Sequence, residues 1–513
     1  MKNYLKKQNT KYFIVGFVLV LITVFLSYIV YQSFQKENYD LIEAFNADIK
    51  GLDPTKEENT ITTVGNNFFR HTHDTLLEMD GTNFKKKLAK DFKKEGTKIT
   101  FELRENLYFH NGEKLSFEDV EYSIQKGIQN GNKNFQNIEK VNKLDNNKFE
   151  VILKKDYLNW SHPFTNYIRI LNKKAVEKNY NEGIKIGTGP YKLKKRKEKE
   201  SISLELFDKY YDKDFCSNGL KKILIKIIED PNTALTQLEQ GKIDAIIGYP
   251  SAKINDLKAR RLPNIKIIEQ GTFTAAYCYI NAKNTDEETR KAIIKAVDVP
   301  KYIQELKLPV NPLESSLPPG LIGYDEKLKH HPTNIEDAKN IVKKLSLEEK
   351  KLKLYMSNGG NKEMPKKITE ALKAVGFETQ LEEIEFNTLL DKVKNKNEND
   401  TNILFLGENF ESLFGNNYFV DYYLSDSKIH CCHINDFKIN DHELEKMIKE
   451  AKEETNLDKY EEIVKKINQH IHDKFYIIPL TQPKSYNLTT NKIKQGFEAD
   501  SFNNFDITKV KKE

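Results

Sequence analysis

Cysteine, arginine and tryptophan are scarce in this chain of 513 residues. There are four cysteines, none of them before Cys216, so we do not expect a disulfide framework. Seven residues are arginine, and Trp160 is the only tryptophan. The positive charge therefore comes almost entirely from lysine, which we interpret as a compositional habit and not as a binding signal.

Sequence motifs of common enzyme classes are also absent. The chain has no phosphate-binding G-x-x-x-x-G-K-[ST], no G-x-S-x-G and no H-E-x-x-H. No other set of residues indicates catalysis. We therefore predict that the protein is not an enzyme and needs no cofactor.

The net charge is small for a chain of this length. It is +6 in total, and the first 34 residues hold four lysines and no acid, which leaves about +2 for the rest (6 − 4). Nucleic-acid-binding proteins need a concentrated basic field. Nucleic acid is therefore not an expected partner.

Length and apolar content predict several packed domains. The length allows roughly three domains of about 100–200 residues each. Hydrophobic residues make up 38% of the chain, with 29 Phe and 25 Tyr, so there is apolar material for more than one core. The chain as a whole is not of the disordered type.

An uncharged run, YFIVGFVLVLITVFLSYIVY, occupies residues 12–31. A helix of this length spans about 30 Å, the thickness of the hydrocarbon layer. Lysines precede the run and acids follow it, so the positive-inside rule leaves the first residues in the cytoplasm. The run is longer than a signal-peptide core, and no small-x-small cleavage pattern follows. The sequence predicts a cytoplasmic stub and uncleaved single-pass anchor (1–34) in the cytoplasmic membrane, with the bulk of the chain on the periplasmic or extracellular side.

A strand, a turn and a helix are predicted within FELRENLYFHNGEKLSFEDVEYSI, residues 101–124. Apolar residues alternate from Ile99 to Leu103, as in a strand with one buried face. Asn111-Gly112 indicates a tight turn, and Ser116 is a good helix N-cap. Apolar residues at helical spacing then follow, from Phe117 to Ile128. Each local signal agrees with the next, which is typical of a rigid scaffold.

Helices and strands alternate in the rest of the chain. Residues 232–248 predict a helix that ends near Gly241 and leads into a buried strand. A second α/β run from about 269 contains strands at 274–281 and 351–357, and FYIIPL at 475–480 predicts a buried strand. The stretch NNFFRHTHDTLLEMD (66–80) predicts a helix, whose His71 and His73 would have a surface or capping role. The fold class is therefore α/β.

Six sequence blocks, taken in order, resemble one protein family. They are LDPTK (52–56), GTKITFELRENLYFHNGEKLSFEDVEYSI (96–124), GTGPYKLKK (187–195), ALTQLEQGKIDAI (234–246), YCYINAKN…ETRKAIIKAVD (277–298) and LPPGLIGYD (317–325). Together they resemble the extracellular solute-binding proteins of peptide ABC importers, of the oligopeptide-, dipeptide- and nickel-binding type. The resemblance extends over about residues 38–513.

This resemblance implies a two-lobed periplasmic-binding-protein fold of type II, with an extra domain inserted in the first lobe. Ligand would be held between the lobes. By the resemblance, lobe I combines 38–60, 185–268 and 484–513, the extra domain is 61–184 and lobe II is 269–483. Changes of sequence texture near 185 and 269 agree with these boundaries.

The resemblance also implies where a ligand would bind. An extended peptide has unpaired N–H and C=O groups that strand edges can pair. The expected ligand-binding residues are Phe45, Asn46, Ala47, Tyr277, Tyr279, Glu408, Asn409 and Phe410. Tyr277 and Tyr279 lie two apart on a strand and so share a face, although core packing explains such a pair equally well.

One of these segments departs from the family pattern. In the family, an acid followed by an aromatic residue meets the amino group of the peptide. Asn409 stands here at the position of the acid, and Phe410 at that of the aromatic residue. Two alternatives stay open: Glu408 or Glu411 supplies the negative charge instead, or the protein does not read a free amino terminus.

The sequence HCCH, His430, Cys431, Cys432 and His433, has the donor types of a zinc or copper site. Adjacent side chains diverge, however, and cannot easily converge on one ion. A loop with two thiols is the favoured interpretation, and a dedicated metal site is the minor alternative.

The predicted function is that of the substrate-binding component of an ABC importer. It would capture peptides or a related small solute and deliver them to permease and ATPase subunits. The alternatives are a peptide-sensing protein of the same fold without transport, and a binder of nickel or another metal complex.

Overall fold

The computed structural model describes residues 38–513 except 61, 81–82, 359–360, 387, 390–391, 393–399, 411 and 415–440. The run at 12–31 and the HCCH sequence lie outside the described residues, so both hypotheses stay predictions. Over the ranges that are described, no helix is both long and apolar enough to cross a bilayer.

Strands and helices are interspersed along the described chain, with runs of up to four strands in succession. In chain order the strands are β1 (Leu41–Phe45), β2 (Leu77–Asp80), β3 (Asn83–Lys86), β4 (Ala89–Glu95), β5 (Lys98–Leu103), β6 (Ile138–Lys143), β7 (Lys148–Leu153), β8 (Tyr191–Lys197), β9 (Ser201–Leu206), β10 (Lys222–Ile227), β11 (Ala245–Ile246), β12 (Ile265–Gly271), β13 (Thr274–Ile280), β14 (Val310–Pro312), β15 (Lys351–Ser357), β16 (Glu378–Ile384), β17 (Ile403–Asn409), β18 (Ile477–Thr490), β19 (Ile493–Gln495) and β20 (Lys511–Lys512). The α-helices are α1 (Glu57–Thr60), α2 (Thr63–Thr72), α3 (Phe117–Gln129), α4 (Lys173–Lys178), α5 (Tyr180–Gly183), α6 (Lys213–Asn218), α7 (Pro231–Glu239), α8 (Ile254–Arg260), α9 (Glu287–Lys295), α10 (Val299–Glu305), α11 (Ile335–Lys344), α12 (Glu363–Val375), α13 (His442–Glu453) and α14 (Leu457–Asp473).

Twelve strands join one mixed sheet in the order β16-β15-β17-β13-β18-β11-β1-β10-β9-β8, and β12 and β14 also pair with β18. β1 is parallel to β10 and β11, and β15 is parallel to β16 and β17. We call β1 and β8–β12 the β1 half, and β13–β17 the β13 half. Parallel neighbours require crossover connections, which the helices provide. The 14-residue strand β18 pairs with both halves.

Within this sheet, the described chain passes between the two halves at two adjoining places. One is the two-residue step from β12 to β13, and the other is the middle of β18. The Thr272 hydroxyl donates to the Pro483 carbonyl (2.7 Å), and the Gln482 side-chain amide donates to the Thr272 carbonyl (2.6 Å). Buried side-chain hydrogen bonds therefore tie the two crossings together.

A separate four-stranded antiparallel sheet, β4-β5-β7-β6, packs on helix α3. Ile99, Phe101 and Leu103 of β5 are all buried, as the alternation predicted. The carboxylate of Asp119 accepts from the backbone N–H of Ser116 at 2.9 Å, which caps α3. Ile128 is 41% exposed, so the buried stripe of α3 ends before this residue.

The helix predicted over 66–80 is instead a helix followed by a strand. Helix α2 begins after Thr62, whose hydroxyl accepts from the Gly65 N–H, and ends at Thr72. The expected surface role of the two histidines is wrong, whereas the capping alternative holds for His73, which is the C-cap of α2 and whose backbone N–H donates to the Phe69 carbonyl. His71 and His73 are 0% and 2% exposed, because α2 packs against the β1 half and buries them.

Candidate functional site

A cavity of about 400 Å³ lies where several separate stretches of the chain meet. Most of its lining comes from the α2–β3 region, from the crossing between the sheet halves, and from the segment 498–509, and Gly320 and Leu413 complete it. The lining residues are Arg70, Glu78, Met79, Lys85, Gln270, Phe273, Gly320, Leu413, Glu498, Ala499, Asp500, Ser501, Phe502, Asn504, Asp506 and Lys509. Such a concave site with both charge signs is suited to a polar ligand.

A smaller cavity of about 40 Å³ shares Phe502 and Asn504 with the larger one. It is lined by Thr60, Thr62, Thr63, Asn66, Asn166, Tyr167, Asn409, Phe410, Phe502 and Asn504. We call the two adjoining cavities the cleft. Its walls come from the β13 half, from the region of α1 and α2, and from the segment near the carboxyl end of the described chain.

Backbone contacts hold Phe502 in the middle of the cleft. The Phe273 N–H donates to the Ser501 carbonyl at 2.8 Å, and the rings of Phe273 and Phe502 meet edge to face with centroids 4.9 Å apart. The Asp500 carboxylate accepts from the N–H groups of Phe502 and Asn504, each at 2.9 Å. This short turn therefore presents an aromatic ring and an amide side by side.

Paired charges form one wall of the larger cavity. Arg70 pairs with Glu78, and the Lys87 ammonium lies 3.1 Å from Asp74 and 3.7 Å from Glu78. Burial alone would lower the pKa of Lys87, but the carboxylates of Asp74 and Glu78 outweigh it and hold that pKa above its usual value. Burial raises the pKa of Asp74 despite this ammonium group.

Asp506 adds a further carboxylate to this wall. Burial would raise the pKa of Asp506. Three effects outweigh it and lower this pKa below the ordinary value: the positive charge of Lys87, hydrogen bonds from Thr508, and the positive charge of Arg70. The Thr508 N–H donates to this carboxylate at 3.0 Å. The wall therefore sets the cations of Arg70 and Lys87 against the carboxylates of Asp74, Glu78 and Asp506.

The cleft also lies near a contact between the β13 half and the region of the four-stranded sheet. The Asn159 side-chain amide donates to the Ser412 hydroxyl at 3.1 Å. The neighbouring Trp160 is half-buried and packs against Phe84 and Phe92. The only tryptophan of the chain thus lies beside a junction of the parts that surround the cleft.

Asn409 and Phe410, two of the predicted site residues, lie in the cleft. Asn409 is exposed, and its side-chain oxygen accepts from the Thr274 hydroxyl at 3.2 Å. Phe410 is 2% exposed, and its N–H donates to the Phe273 carbonyl at 3.2 Å. Glu408, one position earlier on β17, is half-buried and does not line either cavity of the cleft.

The residues at the end of β1 lie elsewhere. Phe45 and Asn46 line a different cavity of about 120 Å³ at the carboxyl ends of the parallel strands β1, β10 and β11. Phe45 is buried, whereas Asn46 and Ala47 are exposed. The structure therefore does not bring these three residues together with Asn409 and Phe410, and their role in binding stays a prediction.

Tyr277 and Tyr279 are core residues of the β13 half. They are 0% and 2% exposed, and their rings contact each other with centroids 5.4 Å apart, so they do share a face. The Tyr277 hydroxyl donates to the Ser316 carbonyl at 2.8 Å. Ligand contact by these residues stays a prediction, since neither lines the cleft.

Several cleft residues were missed at the level of sequence. Phe502 and Asn504 belong to no recognised sequence motif. The Asn66 side-chain amide on α2 donates to the Asn504 side-chain oxygen at 2.7 Å, which joins positions 438 residues apart. Thr60 and Thr62 follow the LDPTK block, which is the one signal that pointed to this region. No group of three or more His, Cys, Asp or Glu within the described ranges could hold a metal ion.

Comparisons with known proteins agree with the resemblance of the sequence blocks. The model of the family "Bacterial extracellular solute-binding proteins, family 5 Middle" matches residues 83–430. The oligopeptide-binding protein OppA of Bacillus subtilis is 24% identical over 444 residues, which cover 75% of this chain and 77% of that protein. The oligopeptide-binding protein AppA of the same organism is 24% identical over 360 residues, 61% of this chain and 64% of AppA.

Solved structures show the fold. The ABC transporter substrate-binding protein CtaP of Listeria monocytogenes superposes with a TM-score of 0.79 at 20% identity, over 92% of this chain and 99% of that one. AppA of Bacillus subtilis in complex with a nonapeptide gives a TM-score of 0.68 at 20% identity, over 92% and 98%. The fold is therefore the two-lobed, mixed α/β fold of periplasmic binding proteins, and the chain belongs to the bacterial extracellular solute-binding proteins of family 5.

Proposed function

We propose that this solute-binding protein captures peptides, or a related small solute, in the cleft and delivers them to the permease of an ABC importer. The observation that carries the proposal is the cleft itself, which is lined by both halves of the chain's fold and by the α1–β3 region. The ligand class is taken from OppA and AppA, the oligopeptide-binding proteins to which the chain is similar.

The predicted domain boundaries belong to this proposal. We propose lobe I at 38–60, 185–268 and 484–513, the extra domain at 61–184 and lobe II at 269–483. Separate apolar clusters in the β1 half, the four-stranded sheet and the β13 half support this division, although Phe68 and Phe69 of α2 pack in the cluster of the β1 half. We propose that the paired crossings at Thr272 and Gln482 form the hinge between the two lobes. We also propose that residues 12–31 anchor the protein in the membrane.

Phe502 is the residue on which the test depends. Its ring is half-buried and lines both cavities, so a bound solute would cover it. Phe386 is a matched control, because it is an exposed phenylalanine (39%) that lines neither cavity. Removing a covered aromatic ring costs about 1.5–3 kcal/mol, which is at least about tenfold in affinity.

The experiment is a titration of the full chain, in detergent, with short peptides, followed by Trp160 fluorescence. We expect saturable binding that Phe502→Ala weakens about tenfold or more and that Phe386→Ala leaves unchanged. Mass spectrometry of the solute that co-purifies with the protein identifies the class. A single metal complex in place of peptides would refute the peptide assignment, and an absence of permease subunits in mild-detergent pull-downs would favour a sensing role.

A further inference from the structure

Lysine and arginine side chains are concentrated at one edge of the β1 half. We call this surface the basic edge. It consists of Lys221, Lys222, Lys242, Arg260, Arg261, Lys266, Lys492, Lys494, Lys511 and Lys512, all exposed except the half-buried Lys512. The described chain as a whole is nearly neutral, so this concentration is local.

Strand directions place these residues at one edge. β1, β10 and β11 are parallel and begin there, and β18 runs antiparallel to β11 and ends there. The Lys512 ammonium donates to the Asp40 carbonyl at 2.6 Å, and the Asp40 carboxylate accepts from the N–H of Lys222 at 2.9 Å. The Lys266 ammonium donates to the Ile493 carbonyl at 2.8 Å. The surface is therefore continuous.

Acidic side chains on this edge are already engaged. Glu239 pairs with Arg260, Asp244 with Lys512, and Glu513 with Lys494. Asp40 is held by the backbone N–H groups of Lys221 and Lys222. Among the residues that the structure describes, the other basic side chains of this edge form no ion pair. Glu205 and Asp40 lie near Lys222, but the edge keeps an excess of positive charge for an external anionic surface.

The chain enters this same edge from the predicted membrane segment. The apolar run ends at residue 31 and Asp40 precedes β1, so nine residues, at most about 30 Å of extended chain, separate the basic edge from the bilayer. The hinge crossings lie at the opposite end, where β18 passes into the β13 half.

We propose that the basic edge docks on anionic lipid headgroups. The inference rests on the membrane anchor proposed above. Positive side chains near an anionic bilayer are attracted within about 8 Å, the screening length at physiological salt. The tether keeps this edge within about 30 Å of the bilayer, so that it repeatedly comes within the screening length.

Lysine footprinting of the full chain in lipid vesicles tests the proposal. In vesicles that contain phosphatidylglycerol, we expect acylation of Lys222, Lys492 and Lys511 to fall about fivefold relative to phosphatidylcholine vesicles, and high salt to abolish the difference. The exposed lysines Lys343, Lys344 and Lys373 on α11 and α12 are internal controls that keep the same rate in both.

Charge reversal supplies the second measurement. The variant Lys221→Glu/Lys222→Glu/Lys511→Glu should restore the reactivity of Lys492 in anionic vesicles, and Lys343→Glu/Lys344→Glu/Lys373→Glu should not. Equal rates in both lipids would overturn the docking, as would protection by soluble polyphosphate alone. If the chain fails to float with neutral vesicles at high salt, the anchor is refuted, while the footprint with anionic vesicles still decides about the basic edge.

Discussion

The buried ion pair behind the cleft wall gives the sharpest prediction about stability. The side chain of Lys87 is 14% exposed and lies 3.1 Å from Asp74, whose side chain is 0% exposed. In Lys87→Met the apolar stem of the side chain remains, but Asp74 keeps a buried negative charge without its cation. Breaking a buried pair from one side costs about 3–5 kcal/mol. We expect a loss of this size in the free energy of unfolding.

The neighbouring lysine is a matched control. Lys86 pairs with Asp91 at 2.6 Å, but these side chains are 44% and 64% exposed. Solvent-exposed pairs contribute about 0–1 kcal/mol, so Lys86→Met should change stability little. Urea unfolding followed by Trp160 fluorescence is a suitable assay, because Trp160 packs against Phe84 and Phe92 in the same region.

The pH dependence of the variant distinguishes a lost charge pair from lost packing. Burial already raises the pKa of Asp74, and removing the ammonium of Lys87 raises it further. The destabilisation of Lys87→Met should therefore be largest near pH 8 and shrink as the pH falls and Asp74 takes up a proton. The double variant Lys87→Met/Asp74→Asn should recover part of the loss. Equal effects of Lys86→Met and Lys87→Met, or no recovery in the double variant, would refute this reasoning.

Three further predictions concern single buried positions. Gly187→Ala should lower the free energy of unfolding, measured by thermal unfolding, by about 1–3 kcal/mol, because a Cβ there would lie 2.0 Å from the Thr72 carbonyl oxygen. The control Gly271→Ala places its Cβ in open space and should change this free energy by less than about 0.5 kcal/mol. Cys278 is fully buried, and burial raises the pKa of its thiol, so thiol-reactive reagents should label it only after unfolding. Mass spectrometry locates the label, and labelling of Cys278 in the native state would contradict its placement. Burial lowers the pKa of His162 to about 4, so its imidazole should titrate near that pH in NMR spectra. The free energy of unfolding should fall as the pH drops from 6.5 toward 4, because the unfolded chain takes up the proton first. A normal titration near 6.5 would refute the burial.

Local patterns were sufficient wherever the chemistry of a few neighbouring residues decides the conformation. The alternation from Ile99 to Leu103 predicted β5, and Gly241, near which a helix was predicted to end, has the positive φ of 66° that favours glycine. The strand at 351–357 has the bounds that its apolar pattern predicted. The six ordered blocks, which include strands and helices as well as turns, also predicted the family.

The location of the cleft could not be predicted in the same way. Asn409 was recognised, but its neighbours Asn66 and Asn504 come from stretches hundreds of residues apart, and no periodicity encodes that meeting. Similarly, Tyr277 and Tyr279 were correctly placed on one face of a strand, but only the packing of helices on that face shows that it is buried.

What the sequence determined by itself, then, is the order and type of the elements, the family and the near-neutral charge outside the first residues. These follow from side-chain period, turn chemistry and composition, which are local or additive quantities. Only the tertiary structure decided which residues line the cleft, that His71 lies in a core, and that scattered lysines form one edge. Such properties depend on contacts between distant segments, and those contacts exist only after the sheet has brought the segments together.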